Sequence, residues 1–208
     1  MRSSLRLIGL ATIVAASVSC GDVVRQGRSP VFLVIDSLQA APGNAPGTLA
    51  GNLSSDVITG VTSPAPCAAD NPCFTFFNDV ASATLRLSLK DIGTPTAPAQ
   101  ATSNNDVTIN RIRIVYQRAD GRNTPGVDVP FAWDTAATVT VPASGTATVG
   151  FELVRSIAKQ ESPLVQLITS PNIINTIANV TFFGRDRVGN EVNATGSIQI
   201  NFGNFGNP

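Results

Sequence analysis

Not one of the 208 residues is a histidine. That removes the commonest general base, and with it histidine-based triads and most catalytic zinc sites. Lysine is almost missing as well: Lys90 and Lys159 stand against a dozen arginines. Charged residues make up only 13% of the chain, and the two signs balance at 14 each. Without a concentrated positive surface the chain lacks the footprint that phosphate backbones require, so nucleic acid is not an expected partner. Heptads, tandem repeats and long charge runs are absent too. Thr, Asn, Ser, Ala and Val abound instead, a composition suited to β-sheets with hydroxyl-rich faces.

The periodicity agrees. In ASATLRLSLKDI, Ala83, Leu85, Leu87 and Leu89 alternate with Thr84, Arg86, Ser88 and Lys90, which describes a half-buried strand. TATVGFELVR places Ala147, Val149, Phe151 and Leu153 on one face, and EVNATGSIQINF does the same with Val192, Ala194, Ile198, Ile200 and Phe202. VTINRIRIVYQR slips phase: Val107 and Ile109 share one parity, Ile112, Ile114 and Tyr116 the other. A β-bulge near Asn110 and Arg111, or a strand crossing between sheets, would reconcile them. Further strands are expected at 31–38, 138–141 and 177–185, with one short strand at 57–61 inside a loop-rich segment spanning 40–80. Residues 156–175 lack alternation, and Ser162-Pro163 predicts a brief helix over 162–167. The expected fold is therefore all-β, an antiparallel sandwich of about seven to eight strands with long loops and at most one short helix.

The N-terminus has a basic head (Arg2, Arg6), an apolar run from Leu7 to Ala16, and then AASVSCGD. This is the layout of an export signal, too short for a permanent membrane span. Ser17-Val18-Ser19-Cys20 resembles the lipobox of bacterial lipoproteins, in which the Cys thiol is acylated before cleavage. The family prefers Leu where this chain has Ser17, and small residues at Ser17 and Ser19 also suit an ordinary signal-peptidase cut. Lipidation at Cys20 would make residues 1–19 a signal peptide and 20–29 a membrane tether, with 30–208 a single domain. Gly21 follows the Cys, where enterobacterial sorting uses Asp for inner-membrane retention, so the resemblance implies an exported protein anchored in the outer membrane. The other two cysteines, Cys67 and Cys73, lie in CAADNPC. In an exported chain they read as a local disulfide, since no histidine or second cysteine pair completes a zinc site.

ANVTFFGRDRVGNEVNATGSIQINF resembles the last hairpin of bacterial immunoglobulin-like domains, with Asp186, Gly189 and Asn190 matching the turn and Ile198 and Ile200 the closing strand. The resemblance implies an immunoglobulin-like (fibronectin-III-like) lipoprotein and carries no activity. No catalytic residues and no cofactor are assigned. Ser156-Ile-Ala-Lys159 matches the SxxK of penicillin-recognising enzymes, but SDN and KTG elements are missing, so it is read as a strand end and a solvated turn. Asp186, Asn190 and Glu191 could supply oxygen ligands to calcium, or Asp186 could simply bond turn amides. The loop ADGRNTPGVDVPFAWD is the candidate binding surface, with Asp128, Phe131, Trp133 and Asp134. Its rings could meet a protein or a glycan, or plug one end of the sandwich. The function expected is a non-enzymatic, lipid-anchored envelope accessory that binds a protein partner. The alternative is a carbohydrate-binding module built on Trp133 and Phe131.

Overall fold

Alternating burial along the strands organises the chain from one end to the other in a computed structural model that describes residues 27–205. The expected signal segment over 1–19, Cys20 and the expected tether up to residue 26 lie outside the described residues. In chain order the strands are β1 (Val31–Ala41), β2 (Asn52–Asp56), β3 (Thr59–Val61), β4 (Cys73–Thr75), β5 (Asp79–Leu89) and β6 (Gly93–Thr94). There follow β7 (Ala97–Pro98), β8 (Val107–Gln117), β9 (Trp133–Val141), β10 (Thr146–Val154), β11 (Ile174–Asp186) and β12 (Glu191–Gly203). One sheet has the order β1-β5-β10 and is antiparallel throughout. The other has the order β2-β12-β11-β8-β9, antiparallel except where β2 runs parallel to β12. Two small hairpins, β3-β4 and β6-β7, complete the set among the described residues.

The apolar faces of the two large sheets share one core. Leu85 and Leu153 from the first meet Ile112, Ile114, Val180, Phe182, Ile198 and Ile200 from the second, all buried. Phe151 and Phe182 pack edge to face across the layers with centroids 5.7 Å apart, an arrangement favoured by the ring quadrupoles. The phase slip in β8 is a bulge. Register shifts between Ile109 and Arg111 against β9, and between Phe183 and Gly184 against β11, so Val107, Ile109, Ile112, Ile114 and Tyr116 are all buried. The extra residue, Asn110, is what lets both parities face inward.

Several expectations are corrected. Twelve strands are present among the described residues, eight of them in the large sheets, and helical structure is more than one piece: α1 (Ser156–Lys159) and 3-10 turns at Ser103–Asn105 and Leu164–Thr169. Pro163 precedes the second of these turns and does not open an α-helix. The loop-rich segment holds three short strands, because Leu53, Ser55 and Val57 alternate inward over too few residues to register as a pattern. The Cys67–Cys73 disulfide is formed, closing a turn in which Ala68 and Asn71 exchange backbone hydrogen bonds.

At Gly184 a Cβ would lie 2.8 Å from both the Thr108 carbonyl oxygen and Val107 Cγ1, whereas at Gly150 its nearest contact is an ordinary 3.9 Å. Gly184→Ala is expected to lower stability by about 1–3 kcal/mol through overpacking, and Gly150→Ala to stay within about 0.5 kcal/mol. Urea midpoints for the two variants check this.

Candidate functional site

The SxxK segment is not a solvated turn. Leaving β10, the chain makes the single turn α1 and carries Lys159 inward, where its side chain is 1% exposed, as is that of Asp79 at the start of β5. Lys159 Nζ lies 2.9 Å from each carboxylate oxygen of Asp79 and donates to the Asp56 carbonyl at 2.9 Å. Asp79 also accepts the Ser55 hydroxyl at 2.6 Å and the Gly43 N–H at 2.9 Å. Burial pushes the Asp79 carboxyl up, while Lys159 and the hydrogen bonds from Ser55 and Gly43 pull the other way. In penicillin-recognising enzymes the lysine of SxxK serves the serine. Here the Lys159 amine is instead engaged by Asp79 and Asp56, and the Ser156 backbone N–H is held by the Asn78 side chain.

The candidate binding residues separate into two places. Trp133 and Asp134 do not belong to the loop; they open β9, opposite Ile114 and Arg113. Trp133 is half-buried, its indole N–H donates to the Tyr116 hydroxyl at 3.4 Å, and the Arg155 guanidinium sits 4.8 Å from its ring centre. The Tyr116 hydroxyl in turn donates to the Leu153 carbonyl at 2.6 Å, and burial pushes its phenol well above the usual range. Asp134 bridges Arg111 at 3.3 Å and Arg113 at 3.1 Å on the exposed sheet face. Phe131 remains on the loop, 54% exposed, with its ring against Gly126. Gly126 has φ +75, so neither the backbone nor the space admits another residue there. Asp128 accepts the Thr124 N–H at 3.1 Å and so shapes the loop. Asp120 is clamped by Arg122 and Arg118, whose hydrogen bonds hold its carboxyl far below the usual range. Trp133 thus fills the end of the core as a plug would, and Phe131 does not.

Beside this loop runs a groove of about 440 Å³ that the sequence did not signal. Arg118, Arg122, Val127 and Asp128 form one wall, and Gln166 and Ile173 belong to the other. Val127 is 65% exposed and Ile173 53%. Two segments, 118–128 and 163–174, contribute to it from opposite sides of strands β9 and β10 in the chain, so no local pattern could have revealed it.

At the last hairpin, Asp186 is a turn clamp. Its carboxylate accepts the backbone N–H of Val188 at 3.0 Å and of Asn190 at 2.8 Å, together with the Asn190 side-chain amide at 2.9 Å. Burial alone would raise its pKa, but these bonds, with one from Ser29, bring it below the ordinary 3.8. Glu191 pairs with Arg185 at 2.8 Å. Among the described residues there is no cluster of three or more metal-ligating side chains. The three calcium candidates are engaged with their own hairpin.

No family model matches the chain, and no curated protein matches it. Among solved structures, one described as the X-ray structure of Northeast Structural Genomics Consortium target SoR45 aligns at 9% identity and a TM-score of 0.32. The alignment covers 84% of this chain and 86% of that one. A likeness of that degree carries no argument about fold or function.

Lys159→Met would leave Asp79 buried without its cation, and is expected to cost about 3–5 kcal/mol. Adding Asp79→Leu removes the orphaned carboxylate and should recover that part of the loss, measured as a double-mutant cycle in denaturant. For Asp186 the sign follows from its depressed pKa. Its contribution is complete above the ordinary value and fades as pH falls through the folded one. Asp186→Ala should therefore cost about 2 kcal/mol near neutrality, with the gap from the parent closing below pH 3.8 in unfolding curves taken across pH.

Proposed function

We propose that this chain is an exported, lipid-anchored immunoglobulin-like protein that acts without catalysis, holding a protein partner in the groove beside the 118–132 loop. The sheet orders support the immunoglobulin-like reading: β1-β5-β10 faces β2-β12-β11-β8-β9, and β2 joins β12 in parallel. That matches an A-B-E sheet against a G-F-C sheet extended at both edges.

The observation that carries the functional reading is the placement of the two ends. Ser29 bonds to Asp186, and the Lys90 side chain reaches the Gly27 carbonyl, so the chain enters beside the β11–β12 turn. The groove lies at the opposite end of β11, around Ile173 and Ile174. A 13-residue strand at about 3.3 Å per residue separates them by about 40 Å. An anchor at the first end presents the groove outward at the second. Val127 and Ile173 supply apolar contact, and Arg118, Arg122 and Asp128 supply a polar rim, the composition of a protein interface. A glycan platform fits less well, because Trp133 is held by Tyr116 and Arg155 and its ring does not pair with Phe131 in an exposed surface.

Crosslinked pull-down from the native envelope is expected to recover one stoichiometric protein with the parent and to lose it with Val127→Asp/Ile173→Asp. Recovery of glycan without a protein partner would reverse the reading. Intact mass of the mature chain is expected to correspond to an acylated N-terminus at Cys20; an unmodified Cys20 would remove the anchor.

A further inference from the structure

The Lys159–Asp79 pair combines the contacts of a bidentate ion pair with burial of both side chains to 1% exposure. We propose that the two side chains condense into an amide, so that an internal covalent cross-link joins α1 to the start of β5. Nζ is 2.9 Å from both carboxylate oxygens. With ordinary carboxylate bond lengths this leaves it about 3.3 Å or less from Cγ, within the range of a near-attack arrangement.

The groups around the carboxylate fit the step. The Gly43 N–H donates to Oδ1 at 2.9 Å, where it can hold the negative oxygen of a tetrahedral state. The Ser55 hydroxyl donates to Oδ2 at 2.6 Å, on the oxygen that departs. Gly43 is itself fixed at a close approach, since a Cβ there would strike the backbone of Asn78. In the reaction one ammonium proton first passes to the carboxylate inside the pair. The nitrogen lone pair then adds to Cγ, and the C–N bond forms while Oδ1 takes the charge. The first proton having gone to Oδ2, the second nitrogen proton passes directly to the same oxygen, 2.9 Å from Nζ, while the Ser55 hydroxyl stays hydrogen-bonded to it; the C–Oδ2 bond breaks, the charge on Oδ1 returns to the carbonyl, and water leaves. One ammonium and one carboxylate give one amide and one water, with no oxidant, reductant or co-reactant.

Burial supplies the direction. In water, hydrolysis of an amide is favoured because both product ions are solvated. Here both side chains are 1% exposed, so the ions forgo that solvation and the neutral amide does not need it. The Lys159 donation to the Asp56 carbonyl survives condensation, because the amide retains one N–H.

The test is a peptide map of the full-length protein, reduced, denatured and digested with trypsin. The expected product is a branched species joining residues 29–86 to 156–185, uncut at Lys159 and lighter than the two peptides together by one water. Quantitative recovery of linear peptides cleaved after Lys159 would overturn the proposal. Lys159→Arg keeps the positive charge but has no primary amine, so it is expected to show both segments linear. Loss of a water between the same segments in that variant would also overturn the assignment.

Discussion

The Lys159 side chain, at the far end of the two sheets, ties three other segments together. Lys159 engages the carboxylate of Asp79 and the carbonyl of Asp56, and Asp79 gathers the Ser55 hydroxyl and the Gly43 amide. The connection after β1, the parallel strand β2, the opening of β5 and the turn after β10 therefore meet at one buried point. Desolvating two charges is costly unless every donor and acceptor is matched, and here the Asp79 oxygens each have a donor besides Lys159. Placement of β2 follows from this. Ser55 and Asp56 are fixed against the network while Asn52–Asp56 pairs with β12, so the parallel strand is held from both sides.

The same end of the molecule holds the groove, and the two are connected through the chain. Arg155 precedes α1 and covers Trp133, while the 3-10 turn at Leu164–Thr169 buries Leu164 and Leu167 beneath the groove wall. Loops that carry recognition are most useful when a rigid scaffold positions them. Here the 118–132 loop is flanked by Trp133 in β9 and Tyr116 in β8, hydrogen-bonded within one sheet, and Tyr116 donates across the layers to the carbonyl of Leu153 in β10. The 118–132 loop is further shaped by Asp120 and Asp128, which bond within it.

Much of the sheet framework was legible from the residues, and the reasons are physical. β5, β10 and β12 alternate strongly because one face of each is apolar and the other carries Thr, Ser, Asn or charge. The change of parity in β8 is visible in the sequence, and of the two ways to reconcile it, a bulge or a crossing between sheets, the register shift at Asn110 is the one present. The first half of β9 was missed because Ala136 and Ala137 contribute too little contrast to separate its faces. Lys159 was misread for a different reason: a buried lysine depends on an acid 80 positions away, and nothing local announces its partner. Asp186 is a local case: its carboxylate bonds the amides of its own neighbours Val188 and Asn190, within reach of any reading of the turn sequence.

The long pairing of β1 with β5 has a mechanical meaning. Val31 opposite Leu89 marks one end and Ala41 opposite Val80 the other, with ten residue pairs between and including them. Antiparallel hydrogen bonds lie perpendicular to their strands. A pull entering at Val31 and resisted at the groove would run along β1, loading these rungs in shear rather than peeling them one by one. The register break at Asp36 divides the ladder into two blocks of five, so such a load would be borne by two cooperative patches in series.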